Sequence, residues 1–107
     1  MIKVVLTKND EEYSAFEISG HAESGPYGYD LVCAAVSAIS FGTVNALFSI
    51  GGFEPNVKQH EHGGYLYVEL PSSLSNEQMK KAQIIIQTMV ISLQTIEREY
   101  RQFIQIQ

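Results

Sequence analysis

The feature that most limits how this chain can fold is an uncharged run that extends from Leu31 to Phe53. Its length reaches the roughly 20 residues that a membrane-spanning helix needs. Serine, threonine and asparagine interrupt it, however, and Asp30 and Glu54 flank it where a membrane span usually carries lysine or arginine. We therefore predict no membrane contact but a helix of a globular domain, buried on most sides and ended by the glycine pair at 51–52.

Two hairpins are predicted, one on each side of this helix. Apolar and polar residues alternate over residues 2–7 and 13–19, which is typical of two half-buried strands. After the helix, residues 54–60 and 65–70 are predicted as a second pair of strands. The glycines at 63–64 would supply the positive φ angles of the turn between them.

A second long helix is predicted to begin after Ser75, which can form a capping box with Gln78. Apolar side chains then recur every three or four residues, at Met79, Ala82, Ile86, Met89, Leu93, Ile96, Tyr100 and Phe103. This stripe predicts a face packed against the core, although its breadth leaves open a contact with a second subunit. The alternation over residues 102–107 predicts a last edge strand.

These elements predict a single domain of the α+β class over residues 1–107. The order strand, strand, helix, strand, strand, helix, strand indicates a two-layer α/β sandwich with both helices on one face of a mostly antiparallel sheet. Hydrophobic residues make up 45% of the chain and charged residues 18%, which is ordinary for such a domain. The order of the strands within the sheet does not follow from these patterns.

The reactive side chains concentrate just before and within the first helix. Cys33 is the only cysteine, and it follows Asp30, a candidate helix N-cap, by three residues. We expect Cys33 in the first helical turn, where unpaired N–H groups and the helix dipole favour a thiolate and would stabilise an oxyanion. His21 ends the preceding strand, and the glycine- and proline-rich segment 23–29 is long enough to bring its imidazole beside the thiol.

Each of these residues also has a purely structural interpretation. Cys33 precedes small apolar residues and can be an ordinary core residue, and a histidine at a strand end is often a hydrogen-bonded structural group. His60 and His62 suggest a metal site, but no third ligand has a clear spacing, so we expect a solvated turn and no bound metal. For Asp30 we favour a role in capping the helix over a role in orienting His21. A carboxylate close to Cys33 would repel the negative charge of its thiolate.

Two segments closely resemble the ribosomal-processing cysteine protease family, Prp: residues 20–22, Gly-His-Ala, and residues 28–37, Gly-Tyr-Asp-Leu-Val-Cys-Ala-Ala-Val-Ser. Residues 63–66, residues 70–71 and the closing amphipathic helix are also similar to that family. The resemblance therefore covers essentially the whole chain. One departure is Leu31, where the family more often has a β-branched residue, and this position does not touch the chemistry.

The resemblance implies a cysteine endopeptidase that removes a short N-terminal extension from a large-subunit ribosomal protein precursor, cutting beside a pair of phenylalanines. It also implies that His21 and Cys33 act as a catalytic dyad. Five further residues of the same stretch are expected to bind the substrate: Gly20, Tyr27, Tyr29, Asp30 and Ser37. The segment 23–29 is expected to close over the peptide as a lid, and the alternative is an ordinary surface loop. The alternative for Ser37 is a small residue that only packs against the sheet.

The charge of the chain bears on its partners. A formal net charge of -5 argues against a nucleic-acid surface, whereas a basic ribosomal protein tail is a natural partner. We expect a homodimer and no cofactor. A single cysteine forms no internal disulfide and the first residues lack the features of a signal peptide, so we expect a cytoplasmic protein.

Two other functions fit the same residues. One is a non-catalytic, ribosome-associated dimeric binding module in which Cys33 only packs. The other is a thiol-based redox sensor, which needs an exposed, reactive cysteine but no histidine.

Overall fold

The computed structural model describes residues 1–21, 26–61 and 63–107, with the backbone alone given for residues 26–30. The elements follow the predicted order, and the α+β prediction is confirmed. In chain order they are β1 Ile2–Asn9, β2 Glu12–Ser19, α1 Pro26–Ser49, β3 Asn56–Gln59, β4 Tyr65–Glu69, α2 Asn76–Glu99 and β5 Ile104–Ile106.

The strands form a five-stranded sheet in the order β3-β4-β2-β1-β5. All neighbours pair antiparallel except β1 and β5, which pair in parallel, so the predicted last strand does lie at an edge. The register places Val4 opposite Ile18, and Ile18 opposite Leu66. Because side chains alternate along a strand, these three project from one face of the sheet and form a continuous apolar row.

Both helices cover this apolar face. One cluster of buried side chains joins the strands to α1 and α2, as the sandwich prediction required. Its most deeply buried large members come from four elements: Phe16, Leu47, Ile86, Leu93 and Ile104. The core therefore lies in a single layer between the sheet and the helix pair.

The first helix begins earlier than predicted. It starts at Pro26, so Asp30 is not its N-cap and Cys33 lies about two turns into the helix rather than in the first turn. Proline is favoured at the first helical position because its missing N–H would have no partner there. Of the predicted lid, residues 26–29 are helical, and residues 23–25 lie outside the described residues.

The prediction that α1 is buried on most sides is also wrong. Val32, Val36 and Leu47 are buried, but Leu31 and Phe48 on other sides of the helix are 57% and 60% exposed. The sandwich has only two layers, so these outer side chains have no third layer to pack against. Among the described helices, α1 alone contains a stretch long and apolar enough to cross a membrane, and 28% of that stretch is buried in the domain.

The second helix begins as predicted, with a capping box. The Gln78 backbone N–H donates to Ser75 Oγ at 3.1 Å, and the Ser75 N–H donates to Gln78 Oε1 at 3.0 Å. One turn later, Gln83 ties the helix to β2. Its Nε2 donates to the Tyr13 carbonyl at 2.9 Å, and the Tyr13 N–H donates to its Oε1 at 2.7 Å.

Replacing Gln83 by alanine is expected to lower the free energy of unfolding by about 2 kcal/mol, because two partly buried backbone groups of Tyr13 lose their partner. Urea denaturation measures this change. Gln87→Ala, one turn further along the exposed side of the same helix, is the matched control and is expected to change stability by less than about 0.5 kcal/mol. Equal effects of the two substitutions would contradict a role for Gln83 in holding the hairpin.

Candidate active site

His21 and Cys33 line the same cleft, which has a volume of about 260 Å³. α1 forms one wall, and the end of β2 with the β3–β4 hairpin forms the other. Apolar side chains that include Ile2, Ile18 and Leu66 form its floor. An apolar floor with a few converging polar groups is typical of a ligand-binding cleft.

Cys33 reaches the cleft because its helix is anchored on the sheet on either side of it. Val32 and Val36 are buried in the core, while Cys33 itself is only half-buried. Ser37 follows one turn later on the same helical face, is exposed, and lines the cleft. Ser40, by contrast, is buried and donates its hydroxyl to the Val36 carbonyl at 2.8 Å, so it belongs to the helix wall.

His21 reaches the cleft because of the glycine before it. Gly20 has a φ of +91°, a conformation that favours glycine, and a Cβ at this position would overlap the Met1 carbonyl oxygen. Its N–H donates to the Gly64 carbonyl at 2.9 Å. The strand thus ends in a turn that only glycine permits, and the next side chain, His21, lies at the mouth of the cleft.

The start of α1 does not provide the oxyanion site that the sequence predicted at Cys33. Only at the first four positions of a helix does an N–H group lack a partner within the helix, and in α1 these positions are residues 26–29, of which Pro26 has no N–H at all. Cys33 follows them, so its N–H group falls inside the regular hydrogen-bonded part of the helix. Any donor to a substrate carbonyl at Cys33 has to come from another part of the cleft.

The rim of the cleft contains aromatic and polar residues that the sequence analysis did not single out. The Tyr65 hydroxyl donates to Glu17 Oε2 at 2.9 Å, and this hydrogen bond, together with burial, raises the pKa of Tyr65. The His60 ring stacks on Tyr65 with ring centroids 4.5 Å apart. Phe41 and Gln59 complete the rim.

A sequence signal existed for only one of these residues. Phe41 lies two helical turns beyond Cys33, so helical periodicity alone places it near the same face. Gln59 and Tyr65 flank the hairpin turn, and their place in the cleft depends on β4 pairing with β2, which no local pattern revealed. Of the other predicted binding residues, the side chains of Tyr27, Tyr29 and Asp30 lie outside the described residues.

Of the two histidines that suggested a metal site, the structure describes only His60. His62 lies outside the described residues, and His60 is occupied by its stack on Tyr65. Within residues 1–21, 31–61 and 63–107, no group of three or more histidine, cysteine and carboxylate side chains is placed to hold a metal ion.

Known proteins of one family are similar to this chain over nearly its whole length. The family model of cysteine protease Prp matches residues 1–105. The ribosomal processing cysteine protease Prp of Bacillus subtilis is 46% identical over 102 residues, which cover 94% of this chain and 91% of that protein. The chain belongs to the Prp family. It is therefore a cysteine protease, and the two alternatives of a non-catalytic module and a redox sensor are not favoured.

Solved structures of the Prp family share the fold. The S. aureus ribosomal processing protease Prp with a covalently linked product peptide is 39% identical, superposes with a TM-score of 0.86, and is matched over 99% of this chain and 97% of that one. The S. aureus protease with a substrate peptide is 38% identical, with a TM-score of 0.84, and is matched over 100% and 98%. Both structures contain a peptide bound to a close structural relative of this domain.

Proposed function

We propose that this protease removes the N-terminal extension of a large-subunit ribosomal protein precursor in the cytoplasm, with Cys33 as nucleophile and His21 as general base. The observation that carries the proposal is the shared cleft, to which α1 and the end of β2 each contribute one of the two reactive side chains. The net charge of -5 suits a basic ribosomal tail.

The reaction proceeds in two steps. The Cys33 proton passes to His21 as sulfur attacks the scissile carbonyl, and the C–N bond then breaks as the leaving amine takes that proton from the imidazolium. The peptide remains attached to sulfur as a thioester. In the second step His21 takes a proton from water, and the hydroxide attacks the thioester carbonyl. The C–S bond then breaks as sulfur takes that proton back from the imidazolium, which restores both Cys33 and His21.

The cleft wall provides further contacts for this peptide. Ser37 places a hydroxyl one turn beyond Cys33, where it can donate a hydrogen bond to a bound backbone carbonyl. Ile2, Ile18 and Phe41 offer apolar surface for a side chain such as phenylalanine. The Gly20 N–H already donates to the Gly64 carbonyl, so it is not free to bind the substrate. The role of Gly20 is instead to form the turn that places His21 in the cleft.

The direct test is to incubate the purified protein with the precursor and weigh the products. We expect a single cut beside the phenylalanine pair, and a precursor in which both phenylalanines are alanine should stay intact. Absence of cleavage, or equal cleavage of an unrelated unfolded protein, would refute the proposed substrate.

We also propose that the protease is a homodimer whose partner covers the outer face of the two helices. A groove of about 570 Å³ between α1 and α2 is lined mainly by apolar side chains, with Lys81 its one charged residue in the described part of the chain. Ile50 and Ile84 line this groove, and their side chains are 59% and 68% exposed. The described lining of the groove contains no acidic residue that would bind a basic peptide. A second copy of the chain presents the same exposed isoleucines, so the outer helix face can pack against its own counterpart in a symmetric dimer.

Replacing Ile84 by glutamate is expected to convert the dimer to a monomer, because it buries a charge in an apolar contact. Sedimentation velocity measures the change. Gln94→Glu is the matched control, since Gln94 is an exposed residue of the same helix outside the groove, and it should leave the dimer intact. A wild-type protein that sediments as a monomer would contradict the proposed dimer.

A further inference from the structure

The turn between β3 and β4 contains two glycines with nearly the same φ angle but different surroundings. Gly63 has a φ of +78° and Gly64 a φ of +76°, so a side chain at either position meets the same backbone strain. A Cβ at Gly63 would have no heavy atom within 4 Å. A Cβ at Gly64 would lie 2.6 Å from Nε2 and 3.0 Å from Cε1 of His21.

The distance between this turn and His21 is set by the backbone. Ser19 pairs with Tyr65 at the end of the β2–β4 ladder, and the next hydrogen bond runs from the Gly20 N–H to the Gly64 carbonyl at 2.9 Å. His21 is the residue that follows. The imidazole therefore occupies the space in which a side chain at position 64 would begin, and the pairing of β2 with β4 holds the two segments together.

We propose that Gly64 is a positioning residue for the catalytic histidine, because its missing side chain leaves the space in which the His21 imidazole sits. This inference rests on the proposed role of His21 as general base. A Cβ contact of 2.6 Å is far shorter than van der Waals distance, so with alanine at position 64 the ring has to move. The ring is the outer end of an exposed side chain, so it can move by rotation of the side chain without a shift of the backbone.

The same movement matters greatly for the reaction. A general base has to lie within hydrogen-bond reach of the proton that it abstracts, about 2.6–3.2 Å between heavy atoms. A misplacement of about 1 Å commonly lowers the rate about 10²-fold. The glycine is thus needed twice, once for its φ angle and once for the volume that it leaves to the imidazole.

Comparison of Gly64→Ala with Gly63→Ala separates these two needs, because both substitutions impose the same φ strain. We expect Gly64→Ala to lower kcat for precursor cleavage about 10²-fold with KM nearly unchanged, and Gly63→Ala to lower it less than about 3-fold. The His21 imidazole signals in a ¹H–¹³C spectrum, assigned by their loss in His21→Ala, should shift in Gly64→Ala only. Equal kinetics and unmoved His21 signals in both variants would overturn the inference.

A double-mutant cycle keeps the test decisive if Gly64→Ala folds poorly. Gly64→Ala should destabilise the protein less in a His21→Ala background than alone, while Gly63→Ala should show no such coupling. Poor folding of Gly64→Ala in both backgrounds would contradict the inference, since the clash would then not be with the imidazole. Failure of the proposed function is a separate result: His21→Ala itself would then cleave at the wild-type rate.

Discussion

Replacing Cys33 by alanine is expected to lower the rate of precursor cleavage by about 10⁵- to 10⁶-fold, the loss typical of removing a catalytic nucleophile. The chain has no other cysteine, so no second thiol can form the thioester. The fold should persist, because Cys33 is half-buried and alanine removes only the sulfur atom, at a cost of about 1 kcal/mol. Cleavage is followed by mass spectrometry of the products and folding by circular dichroism.

Two controls make this result interpretable. Asn45→Ala changes an exposed residue of the same helix outside the cleft and should leave the rate unchanged. Cys33→Ser keeps a nearly isosteric side chain and should still bind the extension peptide, which isothermal titration calorimetry measures. A Cys33→Ala protein that cuts at a comparable rate would show that the nucleophile has been wrongly assigned.

The sequence predicted most of the fold because the relevant signals are local. The signals are the alternation along the strands, the capping box of Ser75 with Gln78 and the long apolar stripe. Each of them depends on residues only two to four positions apart. These patterns also indicated which strand faces point inward. The pairing of Val4 with Ile18, and of Ile18 with Leu66, shows that the alternation matched the register of the sheet.

Two errors concern α1, where local signals competed or ended. Asp30 has the side chain of an N-cap, but Pro26 already fits the first helical position, and the earlier start displaced Cys33 from the first turn. The apolar run also predicted burial on most sides. A run of apolar residues indicates that a surface tends to be buried. It does not show whether that surface packs against the same chain or against a partner.

The cleft itself was beyond local reasoning. Sequence proximity suggested that His21 and Cys33 lie close together. Gly64 and Tyr65, which also line the cleft, belong to a hairpin some forty residues after His21. That hairpin reaches the site only because β4 pairs with β2. Strand order is a long-range property. The turn glycines are the clearest case: their neighbourhood predicted a turn, but it did not show that the turn reaches the active site.

Replacing His21 by alanine is expected to lower cleavage about 10²- to 10⁴-fold, the range for loss of a general base. It should also slow alkylation of Cys33 by iodoacetamide below pH 7, because the imidazole no longer accepts the thiol proton. His60→Ala is the matched control: His60 lies on the same hairpin as the rim but stacks on Tyr65, so its loss should change either rate less than about 3-fold. If His60→Ala were the more damaging change, the reactive centre would lie at the β3–β4 hairpin. If His21→Ala slowed cleavage but left alkylation unchanged, His21 would act on the leaving amine or on water rather than on the Cys33 thiol.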